Sequence, residues 1–263
     1  MATKGQSDLQ HFARYPGLEG QSVFITGGGS GIGAAIVESF VHQDCKTAFV
    51  DIDAKGSEKL CRQIEKRHGK APLFIPCDLK DIAALRAAVA TAANAHGPIA
   101  TLVNNAANDQ RHDWTGVTPD YWDERMATNL RPMFFAIQAV VPHMKRRRGG
   151  SIINFGSISW KVPQGGMPAY TTAKAAVHGL TRGMARDLGQ DGIRVNTVVP
   201  GWVMTERQLK LWVTPETEKE LDKAQCLKGR IQPIDLARMV LFLASDDARM
   251  CTAQEFTVDA GWV

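Results

Sequence analysis

The chain contains no Cys-x-x-Cys pair, no His-Glu-x-x-His and no cluster of His and Cys at metal-ligand spacing. Its five cysteines, Cys45, Cys61, Cys77, Cys226 and Cys251, are scattered. That pattern builds neither a disulfide framework nor a zinc site, so no metal is expected and the cysteines read as reduced, mostly buried thiols. No apolar run approaches the ~20 residues a membrane helix needs. The opening stretch "MATKGQSDLQHFARYPG" lacks the apolar core of a secretory signal. Repeats and low-complexity linkers are missing as well. Charge of one sign is scarce: 31 Lys and Arg stand against 27 Asp and Glu, a net +4. Nucleic acid and membrane surfaces are therefore not the expected partners. The densest basic run, "MKRRRGG" at 144–150, reads as the solvated end of a helix, where cations suit the dipole. What remains is the expectation of a soluble cytoplasmic protein.

Apolar residues are plentiful, at 44% of 263, enough for a large core. They fall in short runs: 22–26, 47–52, 72–77, 100–105, 151–156, 193–199 and 255–260. Each run is apolar almost throughout rather than alternating, as expected of strands buried on both faces. Amphipathic stretches separate them. Ile32, Ile36 and Phe40 share one helical face, as do Leu60 and Ile64, and "DIAALRAAVATAANAHG" reads as a helix with a glycine stop. Repeated βαβ alternation predicts an α/β fold: one Rossmann-type, doubly wound parallel sheet of about seven strands with helices on both faces. Residues 1–19 read as an arm and 20–263 as a single domain. The segment 201–230 breaks the rhythm. It is helical in pattern, carries exposed-type Trp residues and follows a strand, which places a small helical lid, or else an extra packing helix pair, at the sheet edge.

"TGGGSGIG", 26–33, follows the first strand and opens a helix. Gly27, Gly29, Gly31 and Gly33, with Ser30 and Ile32, make a turn that lets a pyrophosphate approach backbone N–H groups. Asp51, 18 residues past Gly33, ends the second strand. A carboxylate there accepts from both adenosine ribose hydroxyls and repels a 2′-phosphate, so NAD is expected over NADP. Asp53 competes only as a solvated turn residue. Ile52, Asp78 and Leu79, at strand ends, suit the adenine side. The small residues and amide of "NNAA", Asn105, Ala106 and Ala107, suit a cofactor crossing the sheet edge. "YTTAK", 170–174, sets a phenol and an amine on one helical face.

Taken in order and spacing, "TGGGSGIG", Asp51, "NNAA", Asn129, Ser157 and "YTTAK" resemble the short-chain dehydrogenase/reductase family over nearly all of 18–263. "PGWVMT" resembles that family's cofactor-contacting turn, which implies Pro200, Gly201, Val203 and Thr205. Ala107 stands where glycine is usual, and "VDAG" replaces the common "VDGG". The resemblance implies that Tyr170 is the acid/base and that Ser157 holds the substrate oxygen. Lys174 binds the nicotinamide ribose and, with the positive nicotinamide, lowers the phenol's pKa. Asn129 anchors a water relay to that lysine. A homotetramer is implied too, with Trp262 in "DAGWV" marking an interface.

A narrower resemblance, carried by "NDQRH", "YWDER", "NFGSISW", "AQCLKGR" and "DAGWV", is to bacterial sugar 1-dehydrogenases of the aldose type. It implies oxidation of a cyclic aldose such as D-xylose or L-arabinose at C1 to the lactone. Polar groups to read the hydroxyls are Asn108, Asp109, Arg111, His112, Ser159 and Gln164, with Trp202 and Met204 on neighbouring loops. Arg111 and His112 also suit ordinary loop or subunit contacts. Two other readings stay open: oxidation of a sugar-acid hydroxyl, such as C4 of a 2-keto-3-deoxy sugar acid, or of another secondary alcohol; and an NAD-binding regulator without turnover.

Overall fold

The computed structural model describes residues 13–263. Seven parallel strands form one sheet in the order β3-β2-β1-β4-β5-β6-β7. They are β1 Ser22–Thr26, β2 Lys46–Asp51, β3 Leu73–Pro76, β4 Ile99–Asn104, β5 Gly150–Phe155, β6 Ile193–Pro200 and β7 Glu255–Val258. The strands sit within a residue or two of the expected runs. The helices are α1 Gly31–His42, α2 Ala54–His68, α3 Ile82–His96, α4 Pro119–Asn129, α5 Arg131–Arg147, α6 Pro168–Leu188, α7 Glu206–Leu211, α8 Pro215–Ala224 and α9 Pro233–Ala244.

The unbroken apolar runs have a direct cause: successive strand residues serve two different cores. Val23 and Ile25 face one core with Ile36 and Phe40 of α1, Ile64 of α2 and Leu236 of α9. Phe24 faces the other, with Leu85 of α3, Ile137 of α5 and Leu188 of α6. Along β5, Ile153 joins the first core and Ile152 the second. Local signals end the helices as expected. Asp81 caps α3 by accepting from Ala84 N, and Gly97 closes it at φ 88°. Lys145, Arg146 and Arg147 occupy the last turn of α5. Asp53 is more than a solvated turn: it caps α2, accepting from Gly56 N at 3.1 Å, which is worth about 1 kcal/mol.

Several expectations are corrected. The arm cannot reach residue 19, because Leu18 is buried in the first core and 16–18 form a short 3-10 turn; residues 1–12 lie outside the described part. Only Cys45 and Cys77 are buried, whereas Cys226 is exposed. Trp202 and Trp212 of the 201–230 segment are half-buried rather than exposed. Among the described residues no helix is long and apolar enough to cross a membrane.

The order of strands places the site. The chain moves outward from β1 through β2 to β3, then crosses back to β4 beside β1. The loops after β1 and β4 therefore diverge, and a crevice opens between them at the carboxyl edge of the sheet.

Candidate active site

A cleft of about 760 Å³ occupies that crevice, lined by the loops that follow the strands. At its floor on one side is the glycine turn. Gly27 has φ 67°, and a Cβ on Gly33 would lie 1.9 Å from the Gly27 carbonyl oxygen. No side chain fits at Gly33, so helix α1 begins hard against the strand. Its N-cap, Ser30, makes no side-chain capping bond, which leaves the first amides of α1 directed at the cleft. Asp51 is fixed by two backbone donors, Gly29 N at 2.8 Å and Asp53 N at 3.0 Å. Ile52 beside it is 73% exposed, an apolar wall at the rim. Asn105 braces the turn from β4, donating to the Gly27 carbonyl at 2.8 Å. These residues fit a dinucleotide: an amide cradle with no room for a side chain, a fixed carboxylate and an apolar slot.

On the other side lies Tyr170, near the start of α6. A chain of buried polar groups seats that helix. Asn104 donates to Asn154 at 2.9 Å, Asn154 to Thr181 of α6 at 3.0 Å, and Thr197 of β6 to Thr181 at 2.7 Å. Water is excluded from these groups, and the bonds among them fix position, although the Asn104 Oδ1 is left without a partner. Asn104 and Asn154 open the quoted "NNAA" and "NFGSISW" motifs, but no role was read for them, and nothing in the pattern singled out Thr181 or Thr197. His112 holds the other end, accepting from Ala169 N at 3.3 Å. It does not line the cleft, so its expected substrate contact gives way to anchoring the first turn of α6.

Ser157 hydrogen-bonds Tyr170, which draws the phenol's pKa down. Burial and the Asp109 carboxylate push it up, and the upward causes win. Within the chain itself, the phenol is held protonated by burial first and by Asp109 second. Lys174 is buried, donates to Phe155 O at 2.8 Å and sits 5.7 Å from the Tyr170 ring. Burial brings its pKa down from 10.5 to about 7, against the pull of Asp109. An ammonium so weakly held is a poor source of positive charge for the phenol.

All the expected cofactor and substrate residues line the cleft except Gly29, His112, Ser159, Lys174 and Met204, and Asn129 lies behind it too. Gly29 serves from behind, through its bond to Asp51. Asn129 is fully buried at the end of α4, where its Oδ1 accepts from Asn108 N at 2.8 Å. Ser159 is turned inward: it is 2% exposed, its backbone N–H donates to Ser157 Oγ at 3.1 Å, and its hydroxyl has no partner. A substrate contact at Ser159 is thus excluded in this conformation. Met204 is buried likewise, with its N–H on Ile231 O.

The remaining candidates form the far wall. Asp109 accepts from Gln208 Nε2 at 2.6 Å and from Arg207 Nε at 3.3 Å, both on α7. Gln208 in turn accepts from Trp202 Nε1 at 3.0 Å. Arg111 lies 5.2 Å over the Trp212 ring and donates to Met167 Sδ. Gln208, Arg207 and Trp262 line the cleft yet were not among the expected contacts. Only the lid-like setting of 201–230 hinted at the first two.

A family model described as enoyl-(acyl carrier protein) reductase matches residues 27–263. D-xylose 1-dehydrogenase of Caulobacter vibrioides is 50% identical over 250 residues, 95% of this chain and 98% of that protein. The chain is a short-chain dehydrogenase/reductase. The dehydrogenase is also 47% identical to "Probable galactose dehydrogenase" of Rhizobium meliloti, across 95% of its own length and 97% of the relative's. Among solved structures it superposes on a 7α-hydroxysteroid dehydrogenase complexed with NADH and 7-oxo glycochenodeoxycholic acid. The TM-score is 0.89 at 30% identity, covering 95% of this chain and 96% of that one. The Rossmann-like fold and the oxidoreductase class follow from the family.

Proposed function

We propose that this dehydrogenase oxidises a cyclic aldose at C1 to its lactone, with NAD as hydride acceptor. The observation that carries the reading is the cleft itself. Tyr170 and Ser157 face a wall of hydrogen-bonding groups, Asn108, Asp109, Gln164 and Gln208, backed by the indole of Trp202. A polyhydroxylated ring needs that mixture of partners and flat apolar surface. Full-length likeness to a D-xylose 1-dehydrogenase supports the same substrate class.

Ser157 holds the C1 oxygen, and the Tyr170 oxygen accepts its proton as the C1 hydride leaves. Nicotinamide, when bound, would supply the hydride acceptor and a positive charge. That charge favours phenolate where Lys174 alone does not. The onward proton step is given to Lys174, whose Nζ lies 5.7 Å from the Tyr170 ring and whose pKa burial brings down to about 7. Asp51, held by Gly29 N and Asp53 N, selects NAD by accepting from the ribose and repelling a 2′-phosphate. Arg111 favours a second reading, a sugar acid oxidised at a ring or chain hydroxyl, because a cation lines the cleft.

The test is absorbance at 340 nm with NAD⁺ or NADP⁺ and a panel of aldoses and sugar acids. Turnover of a pentose with NAD⁺, lost by a factor above about 10³ in Tyr170→Phe, is the expected result. Oxidation of sugar acids but no aldose promotes the second reading. Equal use of NADP⁺ rejects the role given to Asp51.

A further inference from the structure

After β7 the chain makes a tight turn that ends in the cleft. Asp259, 5% exposed, gathers three successive amides: Gly261 N at 2.9 Å on one oxygen, Trp262 N at 3.0 Å and Val263 N at 2.8 Å on the other. The turn requires two left-handed residues in a row, Ala260 at φ 61° and Gly261 at φ 78°. Glycine adopts that conformation freely, but alanine does so only under constraint. Constraint comes from two more directions. The segment after α8 pairs with the turn, Leu227 N donating to Ala260 O at 3.0 Å and Cys226 N to Gly261 O at 3.3 Å. Gly201 packs so tightly that a Cβ on it would lie 2.7 Å from the Asp259 Cα. The side chain delivered by this mount is Trp262, which lines the same cleft as Ser157, Tyr170 and Trp202.

We infer that Trp262 is a substrate-contacting residue that sets specificity: its indole is a platform for the C–H face of the substrate ring, and the 259–263 turn exists to hold it there. A pyranose presents one face rich in C–H groups, and an indole is the largest flat apolar surface a protein offers at low entropic cost. A strained, over-bonded turn is a poor way to end a strand and a good way to fix one side chain. The inference rests on the aldose reading for the identity of the ligand, although the place of Trp262 in the wall does not.

The experiment compares Trp262→Ala, Trp262→Leu and Trp262→Phe with the wild type, using whichever alcohol the wild type oxidises best. Expected for Trp262→Ala is a KM for that alcohol raised roughly 10-fold or more, with kcat and the KM for NAD⁺ held within about threefold. Trp262→Leu, which keeps bulk without a flat ring, stays impaired, and Trp262→Phe recovers most of the loss. Sedimentation of each variant at assay concentration should match the wild type. An unchanged alcohol KM in Trp262→Ala overturns the inference. So does a loss confined to the KM for NAD⁺, full recovery by Leu, or a loss that tracks dissociation of an assembly. Should the best substrate not be an aldose while Trp262→Ala still raises its KM, the platform stands and the aldose reading falls.

Discussion

The two side chains proposed to carry the proton chemistry of this dehydrogenase have nearly equal proton affinities in water, and the fold drives them apart. Lys174 descends to about 7, while Tyr170 is driven upward by burial and Asp109. In the unfolded chain Lys174 holds its proton to ~10.4. Between about 7 and there, unfolding takes up a proton, so raising pH favours the folded form; below about 7 the full burial cost is present. Lys174→Met should therefore be more stable than the wild type at pH 7, by a few kcal/mol less a lost bond to Phe155 O, and so melt higher, with the gap narrowing by pH 9. A variant that melts lower at pH 7 contradicts the cost assigned to this lysine. Asp109 acts on both groups in the same direction, raising each. Asp109→Asn should move the rising limb of the turnover–pH profile to lower pH, because the phenol loses a negative neighbour. A limb that stays put, or moves up, removes Asp109 from the proton balance.

At the scale of elements, α7 is held across the cleft by one clasp. Gln208 joins Asp109 on the loop after β4 to Trp202 on the loop after β6. Arg111 and Trp212 add a second, softer contact between the same loop and the end of α7. A hydrogen bond to a carboxylate is worth about 1.5–3 kcal/mol, and the half-exposed Arg207 paired with the same Asp109 adds little, so the clasp is strong enough to bias α7 and weak enough to release it. If α7 is the lid, Gln208→Ala should raise the substrate KM about 5-fold. Quenching of tryptophan fluorescence by acrylamide should rise as Trp202 and Trp212 loosen. Unaltered KM and quenching together refute a lid role. These elements also show what a sequence discloses. The glycine turn, Asp51, Ser157 and the Tyr170–Lys174 face were legible because close backbone approach and shared helical faces demand particular residues at fixed spacing. Ser159 was read toward the cleft and His112 left open between substrate and loop contact because their neighbours along the chain face the cleft, and only the path of the backbone decides that Ser159 turns inward and His112 braces α6. Gln208 was invisible for the complementary reason. Its importance comes from Asp109, about a hundred residues away, and nothing local marks the pair.

For the molecule as a whole, a homotetramer with dimer faces made by long helices stands as a proposal. Phe134 on α5 and Trp122 on α4 are 42% and 37% exposed, apolar surface of the sort an assembly covers. Sedimentation at micromolar concentration should show a species near four times the chain mass, and a monomer alone would dismiss it. Both faces of the sheet are apolar, and this carries a consequence for folding. In a sheet with one wet face, a strand that slips by one residue exposes its core side chains and is rejected. Here Val23, Phe24 and Ile25 would be buried in either register, so hydrophobicity cannot tell a correct β1 from a slipped one. The contact between Gly33 and the Gly27 carbonyl can. It closes only when β1 ends in step with the start of α1, so the turn proposed to cradle phosphate is also the registration mark by which the first strand finds its place. Side chains at Gly33 should accordingly appear as misassembled, aggregating protein before they appear as weak cofactor binding.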